Sequence, residues 1–182
     1  MDILRTVLAK PEDLERICRF YREVCLAQET DAFGPGWHYG IYPAKEDLAE
    51  RTASESLFLC TEGEKIAAAF VLSEGEDELY RDVGWKQRTE RVFVLHLYAV
   101  HPAFRGKGVG KEALRAILTL AKRRGGEAVH LDVVKGNVPA ERLYRAAGFR
   151  FCEEKNVFYV DTGEITVELF EYDLRGTELS TE

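Results

Sequence analysis

The stretch HPAFRGKGVGKEAL, residues 101–114, packs three glycines, two lysines and an arginine between Arg105 and Lys111. It sits between an apolar run that ends at Val100 and a pattern of helical period. Such a stretch holds phosphates, and three owners compete: a nucleoside triphosphate, a dinucleotide and coenzyme A. A triphosphate loop needs glycine at Arg105 and a hydroxyl at Glu112, and neither is present. The dinucleotide fingerprint is nearer, since Gly108, Gly110 and Ala113 match G-x-G-x-x-A and Asp132 follows about 20 residues on. That fingerprint starts directly after its strand, however, and here residues 101–107, Pro102 among them, intervene. What remains is a loop whose backbone N–H groups converge on an anion beside the positive end of the next helix. Glycine at 106, 108 and 110 lets the backbone approach without a Cβ, while Arg105, Lys107 and Lys111 add screened charge.

Outward from this loop, hydrophobic periodicity gives the rest. Residues 3–9 read as a strand, and 11–30 as a helix carrying Leu14, Ile17, Cys18, Tyr21, Val24 and Cys25 on one face. Residues 31–42 (DAFGPGWHYGIY) read as a glycine- and aromatic-rich loop, followed by a short helix from Pro43 to near Ala53. Two apolar runs, 56–61 and 66–72, flank EGEK as a hairpin. Residues 73–90 form a polar, acidic excursion, and 91–100 an apolar strand. A helix over 108–124 stops at Gly125 and Gly126, a strand spans 127–134, and a helix capped by Asn137 ends at Gly148. Strands at 149–156 and 165–174 flank a turn at VDTGE. The expected order is β-α-α-β-β-β-α-β-α-β-β, a mixed α+β single domain over residues 1–174 with a frayed tail at 175–182.

Composition sets limits. The 182 residues are 46% hydrophobic and 31% charged, enough for one unaided core. A net charge of −7 disfavours non-specific nucleic-acid binding and draws cations weakly. Cys18, Cys25, Cys60 and Cys152 form no CxxC pair or metal-like spacing, so reduced thiols and no metal are expected. The start of the chain lacks an apolar signal core, and no apolar run reaches about 18 residues. A cytoplasmic protein that neither spans nor binds a membrane is therefore expected.

Arg105-x-x-Gly108-x-Gly110 after an apolar strand resembles the acyl-CoA signature of the GNAT superfamily of N-acetyltransferases. Asn137-x-x-Ala140-x-x-Leu143-Tyr144, with Ala147-Gly148-Phe149 after it, resembles the superfamily's second hallmark at the expected distance. The likeness runs over nearly the whole chain, and WHYGIYP, Trp85 and VLHLYAVHP are similar to an unassigned bacterial branch. The resemblance implies the GNAT fold, a mostly antiparallel sheet of about seven strands flanked by about four helices. It also implies acetyl transfer from acetyl-CoA to a primary amine, a small molecule or a peptide, in a ternary complex. An acyl-CoA-binding module without turnover is the alternative, and a homodimer is common in the superfamily.

The resemblance distributes roles. Arg105, Gly106, Lys107, Gly108, Val109, Gly110 and Lys111 would take the diphosphate. The backbone of Tyr98, Ala99 and Val100 would pair with the pantetheine arm, and an N–H near Tyr98 or Ala99 would meet the thioester oxygen. Asn137 and Ala140 would border the arm, and Tyr144 would protonate the leaving thiolate. The base is expected at His96, because imidazole is the side-chain type most ready to accept a proton under physiological conditions; a buried structural histidine is the competing reading. Strand alternation puts His96 on one face with Val94, Tyr98 and Val100. His38 is a second base candidate, while His101 reads as surface and His130 as sheet packing. Phe33, Trp37, His38, Tyr39, Tyr42 and Trp85 are the acceptor candidates, aromatics that either hold an amine or seal the core. Glu74, Glu76, Asp77 and Glu78 either attract a cation or are merely solvated.

Overall fold

The computed structural model describes residues 4–160 and 162–176. The expected domain start at residues 1–3, one residue of the VDTGE turn and tail residues 177–182 lie outside the described residues. Seven strands form one sheet in the order β1-β2-β3-β4-β5-β7-β6. They are β1 (Arg5–Leu8), β2 (Leu57–Glu62), β3 (Lys65–Glu74), β4 (Val92–Val100), β5 (Ala128–Val134), β6 (Arg150–Tyr159) and β7 (Gly163–Asp173). The helices are α1 (Leu14–Gln28), α2 (Lys45–Ala53), α3 (Val109–Arg123) and α4 (Val138–Ala147). Their order is the expected one. The β6–β7 hairpin is longer than its apolar runs suggest, because Val157, Phe158 and Tyr159 continue the pairing up to Gly163.

Each helix covers the face its apolar stripe dictates. Ile17, Cys18, Phe20, Tyr21 and Val24 of α1 and Leu48 of α2 pack with Leu57, Leu59, Ala69, Val71, Leu97 and Ala99. On the opposite face, Val109, Ala113, Leu114, Ile117, Leu118 and Ala121 of α3 and Tyr144 of α4 meet Phe70, Leu72, Phe93, Leu95 and Phe170. Burying such a side chain contributes about 1.5–3 kcal/mol, so these two stripes hold the helices to the sheet.

Two features of β4 shape the centre. The first is a bulge. Ala99 pairs with Ala69 and His96 with Val71, so Leu97 and Tyr98 together oppose Phe70 alone. Leu97 takes a φ of 48°, and its carbonyl accepts the Tyr21 hydroxyl at 2.7 Å. The second is a splay. The parallel pairing of β4 with β5 runs only from Val92–Ala128 to Val94–His130, after which the two strands part. His101 N–H donates to Ala67 O on β3. By alternation, the N–H and C=O of Val100 and Tyr98 face away from β3, into the gap.

The bulge corrects one expectation. His96 keeps company with Val94, whereas Tyr98 and Val100 pack with Phe93 and Leu95 on the α3 and α4 face. The extra residue shifts the parity of everything after it.

Candidate active site

The glycines of residues 106–110 meet two different demands. Gly106 and Gly108 have φ of +73° and +83° with open space at their Cβ positions, so backbone conformation is what requires glycine there. Gly108 caps α3 in the left-handed region, and its carbonyl takes Glu112 N–H. The N–H groups of the first helical turn are thereby left pointing outward. Val109 is buried and anchors the turn, while Arg105, Lys107 and Lys111 are exposed around it. Gly110 lies inside: a Cβ there would touch Leu143, Val100 and the Tyr98 hydroxyl at 3.4–3.6 Å. Tyr98 donates that hydroxyl to Gly110 O at 2.5 Å, tying the strand end to the helix start.

Beside Arg105 a groove of about 360 Å³ lies along the splayed end of β4. Tyr98, Ala99 and Val100 form its floor. Asn137, Ala140, Leu143 and Tyr144 of the α4 region form one wall, and residues 31–35 with Arg105 the other. Asn137 caps α4, its side chain accepting Ala140 N–H at 3.4 Å. The groove is long and narrow, with the start of α3 near one end and, by alternation, the Tyr98 and Val100 backbone turned toward the gap between β4 and β5.

Tyr144 ends the groove. It is 7% exposed, its ring against Tyr98, Phe149 and Phe170. Burial, then the charge of Asp132, raises its pKa and keeps the phenol protonated, ready to donate.

On the α1 and α2 face of the gap lies a second set of polar groups. His96 Nε2 is 3.4 Å from Asp77 Oδ2. That contact, offset by partial burial, lowers the Asp77 pKa and keeps the carboxylate charged. The His96 ring stacks on Tyr80, with centroids 6.4 Å apart. Tyr80 donates its hydroxyl to Asp132 Oδ1, and Tyr159 donates to Asp132 Oδ2 at 3.3 Å. Burial, then the Asp132 charge, raises the pKa of both phenols, so both remain donors. Tyr80, Asp132 and Tyr159 were not among the expected site residues, and Asp77 entered only as one of four acids that either attract a cation or are merely solvated. Asp77 and Tyr80 lie in the acidic excursion, whose polarity reads as solvation. Asp132 appears in sequence only as a partner for the rejected dinucleotide motif.

The remaining candidates scatter. Phe33, 47% exposed, lines the groove along β4 rather than a separate acceptor pocket. Trp37 packs between Tyr21 and Tyr42 and, with His38 and Tyr39, borders a separate cavity of about 580 Å³ on the outer side of α1. Trp85 lies flat on His130 at 3.7 Å, and His130, 1% exposed, bonds Glu76 through Nδ1 at 2.8 Å. His101 bonds Glu23 at 2.6 Å and accepts Ala103 N–H at 3.2 Å, so it caps a short turn rather than merely facing solvent. Among the described residues no group of three or more His, Cys, Asp or Glu could hold a metal ion. No described helix is long and apolar enough to cross a membrane.

Residues 18–149 match the family model of the acetyltransferase (GNAT) family. Streptothricin acetyltransferase of Streptomyces lavendulae is 35% identical over 78 residues, 43% of this chain and 39% of that protein. N-alpha-acetyltransferase RimI of Mycobacterium tuberculosis is 37% identical over 71 residues, 39% of this chain and 43% of that protein. The aligned stretches thus span less than half the length of these relatives. Among solved structures, an acetyltransferase of the GNAT family from Streptococcus agalactiae superposes with a TM-score of 0.78 at 17% identity, covering 93% of this chain and 95% of that one. YncA of Salmonella typhimurium, solved with acetyl-CoA, superposes at 0.67 and 17% identity, covering 96% of both chains. At these identities the likeness is one of fold.

Proposed function

The chain belongs to the GNAT acetyltransferase family, and from that premise we propose that it moves an acetyl group from acetyl-CoA to a primary amine by direct attack in a ternary complex. The observation that carries this reading is one groove lined by Arg105, the splayed end of β4 from Tyr98 to Val100, Asn137 and Tyr144, where β4 has parted from β5. Bound acetyl-CoA would supply the activated acetyl group; the chain's own residues do the rest.

The N–H groups around Gly106, Gly108 and Gly110 hold the diphosphate, aided by Arg105, Lys107 and Lys111. Tyr98 and Val100 pair with the pantetheine amides as a neighbouring strand would, and Asn137 and Ala140 flank them. An N–H at the β4 bulge donates to the thioester oxygen as negative charge grows there. Tyr144 gives its proton to the departing thiolate, restoring CoA as a thiol.

The amine arrives as an ammonium and must lose a proton before it attacks. His96 accepts that proton, with Asp77 orienting the ring and stabilising the charge it gains. Asp132, held by two phenols beside the gap, is the second group able to take the proton or to pair with the arriving ammonium. The amine enters from the face of His96, opposite Tyr144.

A screen of amines (polyamines, amino acids, aminoglycosides, peptide N-termini and lysine) with acetyl-CoA, following free thiol release, tests the reading. We expect amine-dependent thiol release with at least one class. Tight CoA binding with no turnover across the panel would favour a sensing module instead.

A further inference from the structure

Asp31 stands at the mouth of the donor groove, and its carboxylate is paired with the Arg105 guanidinium. Neither side chain is buried, at 30% and 39% exposure respectively. Asp31 begins the segment 31–35 that walls the groove on one side. Behind that segment lies the 580 Å³ cavity against α1, and Gly34 borders both spaces. The segment is therefore a partition with open volume on either side. It is tied at one end by Asp31 to Arg105 and at the other by Gly36 N–H to Gln28 Oε1 at 3.0 Å. Beyond Gly36 the chain continues into Trp37 and the His38–Tyr42 bridge.

We propose that Asp31 is an internal competitor for the donor's diphosphate: it pairs with Arg105, and donor binding displaces it and unties the groove wall. The proposal rests on the reading of the glycine loop as the diphosphate site. A guanidinium presents one planar fork, which a carboxylate and a phosphate satisfy in the same way. Both cannot hold the fork's best geometry at once, and side by side they repel. The diphosphate carries more charge and also gains the loop amides, whereas Asp31 has only an exposed ion pair of small worth. The exchange thus runs toward the donor, while the carboxylate lowers its net affinity. Its second effect is to free segment 31–36 only when the diphosphate is seated, ahead of the stretch that leads to the acceptor side.

Calorimetric titration with CoA and with pantetheine, which lacks the diphosphate, tests this on wild type, Asp31→Asn, Arg105→Ala and the double variant. Asp31→Asn should tighten CoA about fivefold at low salt, the ceiling for an exposed pair, and leave pantetheine unchanged. In the Arg105→Ala background the gain should vanish, and Asp31→Glu should behave as wild type. Equal CoA affinity of wild type and Asp31→Asn would overturn the exchange. So would a gain that persists undiminished without Arg105, because plain repulsion then accounts for it. If wild type binds no CoA at all, the diphosphate reading itself fails and takes this inference with it.

Discussion

Tyr144 and His96 reach the β4–β5 gap from opposite faces of the sheet, one from the α4 side and one from the side of α1 and α2. That separation suits an acid that serves the donor and a base that serves the acceptor. Tyr144→Phe should leave CoA affinity within about twofold of wild type while lowering kcat by about 10²-fold or more. Calorimetry and steady-state rates measure the two separately, and unchanged turnover would remove Tyr144 from the role of acid. His96→Ala should abolish the acidic limb of the wild-type kcat/KM profile, the fall that protonation of the base produces. If the acidic limb survives, Asp132→Asn is the variant to examine. At this scale local structure was legible where residue type and motif agree, as in the Gly108 and Asn137 caps and the position of Tyr144 beside the groove. It was illegible at Asp77 and Asp132, whose surroundings come from partners far along the chain, His96 and the Tyr80 and Tyr159 hydroxyls.

At the scale of elements, periodicity marks the strands and helices well because each carries a single apolar face. It fails at one residue. Leu97 reads as an ordinary alternating strand position, yet its φ of 48° inserts the bulge that reverses the faces of Tyr98 and Val100. A leucine in that conformation costs about 1–2 kcal/mol. Burial of its side chain and the Tyr21 hydroxyl on its carbonyl offset that cost, and both depend on α1. No window of β4 alone contains this information. The N-terminus of α3 is the contrary case, written in local chemistry. Gly108→Val would meet no clash, since nothing lies within 4 Å of its Cβ position, but it would be forced out of φ +83°. The loop amides would then rotate away from their common focus. CoA affinity should fall at least tenfold, as read by calorimetry, while the melting temperature drops only a few degrees. Retained affinity would show that the loop does not hold the diphosphate.

Several hydroxyl-bearing rings of the molecule lie in low-dielectric surroundings. Burial raises the pKa of Tyr21, Tyr80, Tyr98, Tyr144 and Tyr159 above the ordinary value. It also lifts the Cys60 and Cys152 thiols to about 11. Each of these groups ionises more readily in the unfolded chain, so the folded state binds more protons in alkali. Their contribution is complete below the unfolded values, about 8.5 for thiols and 10 for phenols. It is lost as pH rises through the folded ones. The melting temperature should therefore hold up to about pH 8.5 and fall with increasing slope above pH 10; a flat profile to pH 11 would contradict this. The splayed sheet has another consequence. One antiparallel set, β1 to β4, and another, β5 to β7, are joined across the sheet by three residue pairs only. That seam is the natural boundary between two cooperative opening units. In the empty protein, amides of the later unit should exchange with deuterium through partial openings that leave the earlier one closed. A molecule lying in the gap and bonding both edges would merge the two into a single unit.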